Sequence, residues 1–111
     1  MRSFEHFAQA IRHGTFAQYD FGAIENLIVY HSLSPPAWNV SVIRTPTALF
    51  WGGADTLGDN ADVQSLLKAI APEFIVTAKF LPSYAHLDFV WGESANVDVY
   101  AQVVDLARKY S

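Results

Sequence analysis

The chain has 111 residues, half of them apolar, a formal net charge of −4 and no cysteine. That composition is too apolar for disorder, and its few scattered Lys and Arg exclude a nucleic-acid footprint or a polybasic membrane anchor. Without cysteine there is neither a disulfide framework nor a thiolate metal site, and no apolar run approaches the roughly 20 residues of a membrane span.

From the N-terminus, Phe4, Phe7, Ala8 and Ile11 recur at i, i+3, i+4 and i+7, with Ser3 as an N-cap and Gly14 just past the end. This predicts a short amphipathic helix within residues 1–14. The opening "MRSFEHFAQA" has no apolar core of a secretory signal. "TFAQYDFGAIENLIVYHS" mixes aromatics with glycine and polar residues and reads as extended or looped structure. "SLSPPAWNVSVIRTP" carries Pro35, Pro36 and Pro46 and reads as a surface connection.

"TPTALFWGG" is a near-continuous apolar run ended by a glycine pair, the pattern of a parallel strand buried on both faces. A helix follows, opened at Asp59, Asn60 or Ala61, with Val63, Leu66, Leu67 and Ile70 on one face and Pro72 as its stop. "EFIVTAKFLPS" is a second strand. Beyond the loop holding His86, "SANVDVYAQVVDLARKY" sets Val97, Tyr100, Val103, Val104 and Ala107 on one stripe of a final helix. Strand, helix, strand, helix is a βαβα unit with parallel strands. Two buried parallel strands do not make a stable sheet alone, so the chain reads as one partial domain over 1–111, the end of a larger α/β domain with its core at 45–111.

In open parallel sheets, reacting groups gather at the carboxyl ends of the strands. Asp55 follows the first strand and His86 the second, so the topology puts both on one edge. Read alone, an Asp after Gly-Gly is a turn or helix-cap residue, and a His beside Tyr84, Ala85 and Leu87 is a packed or surface histidine. Read together, a carboxylate accepting from imidazole Nδ1 fixes the tautomer and leaves Nε2 free to take a proton from a hydroxyl. The α/β-hydrolases use the chain order nucleophile, acid, histidine, and the last two stand here in that order.

The segments "GTFAQYDFG", "NLIVYHSLSPPAWNVS", "TPTALFWGGADTLGDNADVQSLL" and "LPSYAHLDFVWGESANVDVYAQVVDL" together resemble, in order, the C-terminal third of the acid lipase family of lysosomal and gastric lipases. The resemblance runs from about His6 to Leu106. It implies an α/β-hydrolase fold, with the 1–14 helix near the lid and 45–111 as the core βαβα portion. It also implies a serine ester hydrolase acting on neutral lipids such as triacylglycerol or cholesteryl esters, with Asp55 and His86 as its catalytic acid and base. The family's GxSxG elbow has no counterpart: no serine here has a Gly-x-Ser-x-Gly frame. The resemblance therefore implies a C-terminal fragment that lacks the nucleophile.

At residues 57–60 the family's LADP reads "LGDN", which removes a proline and leaves Asp59 to cap the next helix. The stretch between Asp55 and His86 is a residue or two longer than in the family, an addition that falls in "AIAPEF". The resemblance implies no cofactor, a lipid ester substrate, and peripheral contact with lipid interfaces; it leaves lysosomal and secreted parents open. Asp20 and Asp88 read as local caps or turn partners. His6, His13 and His31 lack metal-ligand spacing. Trp51 and Trp91 read as core, with Trp91 close enough to His86 in sequence to line an acyl-chain groove. "NVS" at Asn39 is a glycosylation sequon on the surface connection. Two alternatives remain open: a non-catalytic fragment or interaction module with the same fold, and an α/β-hydrolase such as an epoxide hydrolase whose elbow nucleophile is Asp.

Overall fold

The computed structural model describes residues 2–111, which form two compact units, 2–39 and 40–111. In the first, helix α1 (Arg2–His13) and helix α2 (Ala23–Tyr30) flank an extended stretch. That stretch pairs through an isolated bridge between Ala17 and Ala37. Gly14 ends α1 at φ 60°, a left-handed conformation that a residue without Cβ adopts at no steric cost. Ser3 lies inside α1 and does not cap it.

α1 uses its polar side to hold the unit together. Gln9 brackets the Asp20 peptide, its Nε2 donating to Asp20 O at 2.7 Å and its Oε1 accepting from Asp20 N at 2.9 Å, while His6 Nε2 lies 2.9 Å from Ala17 O. The apolar face of α1 turns outward, with Phe4 81 % exposed.

Residues 23–30 form a helix where the sequence reading expects an extended or looped segment. The reason is visible in what the helix buries. Its one buried residue is Asn26, whereas Ile24, Leu27, Ile28 and Val29 are all exposed, so no apolar stripe of helical period points to a core. Asn26 is satisfied throughout: Phe21 N donates to its Oδ1 at 2.9 Å, and its Nδ2 donates to Asp20 Oδ1 at 2.7 Å and Leu33 O at 3.2 Å.

In the second unit, β1 (Thr47–Gly52) and β2 (Ile75–Leu81) pair in parallel, with Trp51 opposite Phe80 and Gly52 opposite Leu81. Helix α3 (Asn60–Ala69) connects them, capped by the Asp59 carboxylate on Ala61 N. Its inner face is Val63, Leu66, Leu67 and Ile70, as the periodicity predicts. These two strands with flanking helices match the βαβα portion of an α/β-hydrolase. The expectation of a first strand buried on both faces holds only at its end, where Trp51 and Gly52 are buried and residues 47–50 are half-buried. The described sheet has two strands, so each keeps an unpaired edge.

Helix α4 (Asp88–Trp91) was not foreseen in the sequence; a π turn over Asn96–Tyr100 then runs into helix α5 (Ala101–Tyr110). The π turn adds a residue to the repeat and rotates the helix phase. Ala95 and Val99 are buried in consequence, while Val97, Tyr100, Val103 and Val104, the stripe read from the sequence, are exposed. The core gathers Leu81, Tyr84 and Val99, with Phe50 and Phe89 against them. Trp51 joins the interior, its indole N–H donating to Asn60 Oδ1 at 2.8 Å. Trp91 does not: it is 75 % exposed, on a four-residue helix that turns Phe89 to the core instead.

Candidate active site

The glycine pair that ends β1 sets the geometry of the strand ends. A Cβ on Gly52 would lie 2.0 Å from the carbonyl oxygen of Tyr84, and one on Gly53 would lie 2.5 Å from that of Pro82. Only a bare backbone allows so close an approach. The two loops are stitched there: Gly53 N donates to Leu81 O at 2.9 Å and Ala54 N to Tyr84 O at 3.1 Å. Asp55 is the next residue after one stitched position, and His86 comes two residues after the other.

Asp55 turns its side chain back over its own loop. Its Oδ1 accepts from Leu57 N and Gly58 N, both at 2.8 Å, an Asx-type turn that fixes the carboxylate plane. Its Oδ2 meets His86 Nδ1 at 3.1 Å. The Gly58 amide holds the Asp55 carboxyl below the ordinary aspartate range. The Leu57 amide and the His86 ring act in the same direction, against the opposing effect of burial. An ionised carboxylate can only accept, so the proton of this contact sits on His86 Nδ1.

The carboxylate side chain is 8 % exposed and the imidazole 56 % exposed. The acid is thus enclosed while the ring opens outward, and Nε2 makes no hydrogen bond among the described residues. Such a ring can take a proton from a hydroxyl placed against Nε2 and return it to a leaving group.

The loop bearing His86 is anchored on both sides. Tyr84, 7 % exposed, lies between Ser94 Oγ at 2.8 Å and Asp98 Oδ2 at 2.9 Å. Asp98 is held below the ordinary carboxylate range by Ser94 and Tyr84. Asp88 Oδ2 accepts from Ala85 N at 2.7 Å. Asp20 Oδ1 likewise accepts from Gly22 N at 2.8 Å, so both aspartates act as turn partners. No cluster of three or more His, Asp or Glu side chains able to hold a metal occurs among the described residues. No helix there is long and apolar enough to cross a membrane.

With this geometry in place, comparison with known proteins identifies relatives. No family model matches the chain. It is 36 % identical over 106 residues to lipase member K of Homo sapiens, and 37 % identical over 106 residues to lysosomal acid lipase/cholesteryl ester hydrolase of Homo sapiens. It is also 36 % identical over 102 residues to gastric triacylglycerol lipase of Bos taurus. The chain is an acid lipase homologue. These matches take in 95 %, 95 % and 91 % of the chain but only 26 %, 26 % and 25 % of the respective lipases, and the portion matched is C-terminal. The chain thus spans about a quarter of the length of the lipases it matches. Sequence reasoning singled out Asp55 and His86 in this homologue but gave Tyr84 no role, although a tyrosine two residues before His86 at a strand end was there to be noticed.

Proposed function

We propose that residues 1–111 are one partial domain that supplies the acid and base of a serine-type carboxylic ester hydrolase acting on neutral lipid esters such as triacylglycerols or steryl esters. The observation that carries this reading is the contact between Asp55 Oδ2 and His86 Nδ1 at 3.1 Å, at the carboxyl ends of two parallel strands in a homologue of lipases. In this reading a serine from outside the chain attacks the acyl carbonyl while His86 Nε2 takes its proton. His86 then delivers that proton to the departing alcohol, and Asp55 holds the ring and balances the imidazolium. Water repeats the cycle on the acyl-enzyme.

Leu87, Val90 and Trp91 follow His86 within five residues and are all more than half exposed, which gives an acyl chain apolar surface beside the base. The same surface suits peripheral contact with a lipid interface. The sequon at Asn39, on an exposed residue, supports a glycosylated parent.

A fluorophosphonate probe separates the parts of this reading. The 111-residue chain alone leaves the probe unreacted, because it has an acid and a base but no activated nucleophile. The whole enzyme becomes labelled at one serine outside the chain. Specific labelling of any serine within 1–111 would overturn the assignment. A non-catalytic module is the second reading, favoured by the lack of any Gly-x-Ser-x-Gly frame; it predicts no labelling of the whole protein either.

A further inference from the structure

The turn that carries His86 is closed on itself by one side chain. Asp88 Oδ2 accepts from Ala85 N at 2.7 Å, and Asp88 N donates back to Ala85 O at 3.1 Å, so the peptide before His86 and the residue two after it are locked in a reciprocal pair. The same residue opens α4, whose turn is completed by Trp91 N on Leu87 O at 2.9 Å and Gly92 N on Asp88 O at 3.0 Å. On the other side, Tyr84 O is held by Ala54 N. Asp88 and Tyr84 therefore grip the backbone on both sides of an imidazole whose own ring makes one hydrogen bond among the described residues, to Asp55.

The ring is more than half exposed, so packing does little to choose its rotamer. The direction of its Cα–Cβ bond, set by this turn, decides whether Nδ1 reaches Asp55. We infer that Asp88 is a positioning residue for His86: by closing the turn it holds the imidazole in the Nδ1–H tautomer against Asp55 and keeps Nε2 unprotonated and outward. This deepens, and rests on, the acid and base reading of the pair. The Asp88 carboxylate has no contact with the ring itself, so it acts through backbone geometry and not as a second charge partner.

The inference separates hydrogen-bonding capacity from charge. Asp88→Asn keeps a carbonyl oxygen for Ala85 N and loses the charge. Asp88→Glu keeps the charge but moves the acceptor out by a methylene. Asp88→Ala removes both. The test is ring-15N NMR of His86 in the full 111-residue chain at neutral pH, reading the Nδ1–H and Nε2–H populations, with amide dispersion of β1 and β2 as the control for folding. The wild type and Asp88→Asn hold the Nδ1–H form. Asp88→Ala and Asp88→Glu shift the ratio toward Nε2–H by about fivefold, the worth of one ordinary hydrogen bond.

If Asp88→Ala does not fold, the order of Asn over Glu still decides. Glu matching wild type while Asn does not would show that charge matters and overturn the inference, as would an unchanged ratio in every folded variant. A wild-type chain without the Nδ1–H form would instead overturn the Asp55–His86 pairing itself.

Discussion

Two aspartates in this chain are built alike and placed differently. Asp20 and Asp55 each use one carboxylate oxygen to accept the backbone amide two residues on. Each is held below the ordinary aspartate range, Asp20 by Asn26 and the Gly22 amide, Asp55 by the Gly58 and Leu57 amides together with His86. The difference is the remaining bonding. At Asp20 the same Oδ1 also takes the amide of the buried Asn26, so its network closes inside a polar knot. At Asp55 the second oxygen leaves the loop and meets a ring supplied by the loop after β2. Turn chemistry thus orients a carboxylate, and only what the second oxygen meets makes it a candidate for catalysis.

The comparison breaks most sharply on turnover. If the pair serves the ester hydrolase proposed above, Asp55→Asn in the whole protein lowers kcat by about 10⁴-fold, because the amide no longer selects the Nδ1–H tautomer. Asp20→Asn leaves kcat within a few-fold. Steady-state hydrolysis of a neutral lipid ester by both variants checks this, and equal losses would erase the distinction.

Gly52→Ala tests whether the close approach of the strands holds the pair together. Its Cβ would meet the Tyr84 carbonyl, a backbone atom that cannot swing aside, so the loops must part. The cost expected from overpacking is about 3 kcal/mol. Urea unfolding measures that loss, and the His86 ring signal reports release from Asp55.

At the Asp20 end, Asn26→Ala leaves Phe21 N–H and the Asp20 carboxylate without their buried partner. It destabilises residues 1–39 by about 1–3 kcal/mol, seen as faster hydrogen exchange at Phe21, while the His86 ring stays as it was. The smallest effect concerns acid. Both carboxyls lie below their ordinary value of 3.8 when folded, so each stabilises the fold above that pH, and the contribution is lost as pH falls from 3.8 through the folded values. Asp55→Asn therefore lowers stability by a constant amount above about pH 5 and flattens its further loss in acid, read from urea unfolding midpoints followed by circular dichroism across pH.

How much of this was readable follows from where apolar residues point. β1, α3 and β2 bury what is apolar in them, at least in part, and their order in the sequence puts Asp55 and His86 at one rim. α2 inverts that rule by burying Asn26 and leaving four aliphatic residues exposed, so periodicity could not find it. α5 was found with its phase wrong, because a π turn at Asn96–Tyr100 leaves no mark in a 3.6-residue pattern. Trp91 reads as core with the other aromatics, or as a groove residue beside His86, and it is the exposed position that the structure gives it. At the site, the two end groups were legible. The stitching through Gly53, Ala54 and Tyr84 was not, since it is made by backbone atoms that carry no residue code beyond the glycine pair.

The central claim is that His86 donates a hydrogen bond from Nδ1–H to the Asp55 carboxylate and keeps Nε2 free. Low-temperature proton NMR of ring-15N-labelled chain tests it directly. The account predicts a slowly exchanging, downfield proton on His86 Nδ1 that disappears in Asp55→Asn. A His86 ring in the Nε2–H form in the unsubstituted chain, indifferent to residue 55, would contradict it.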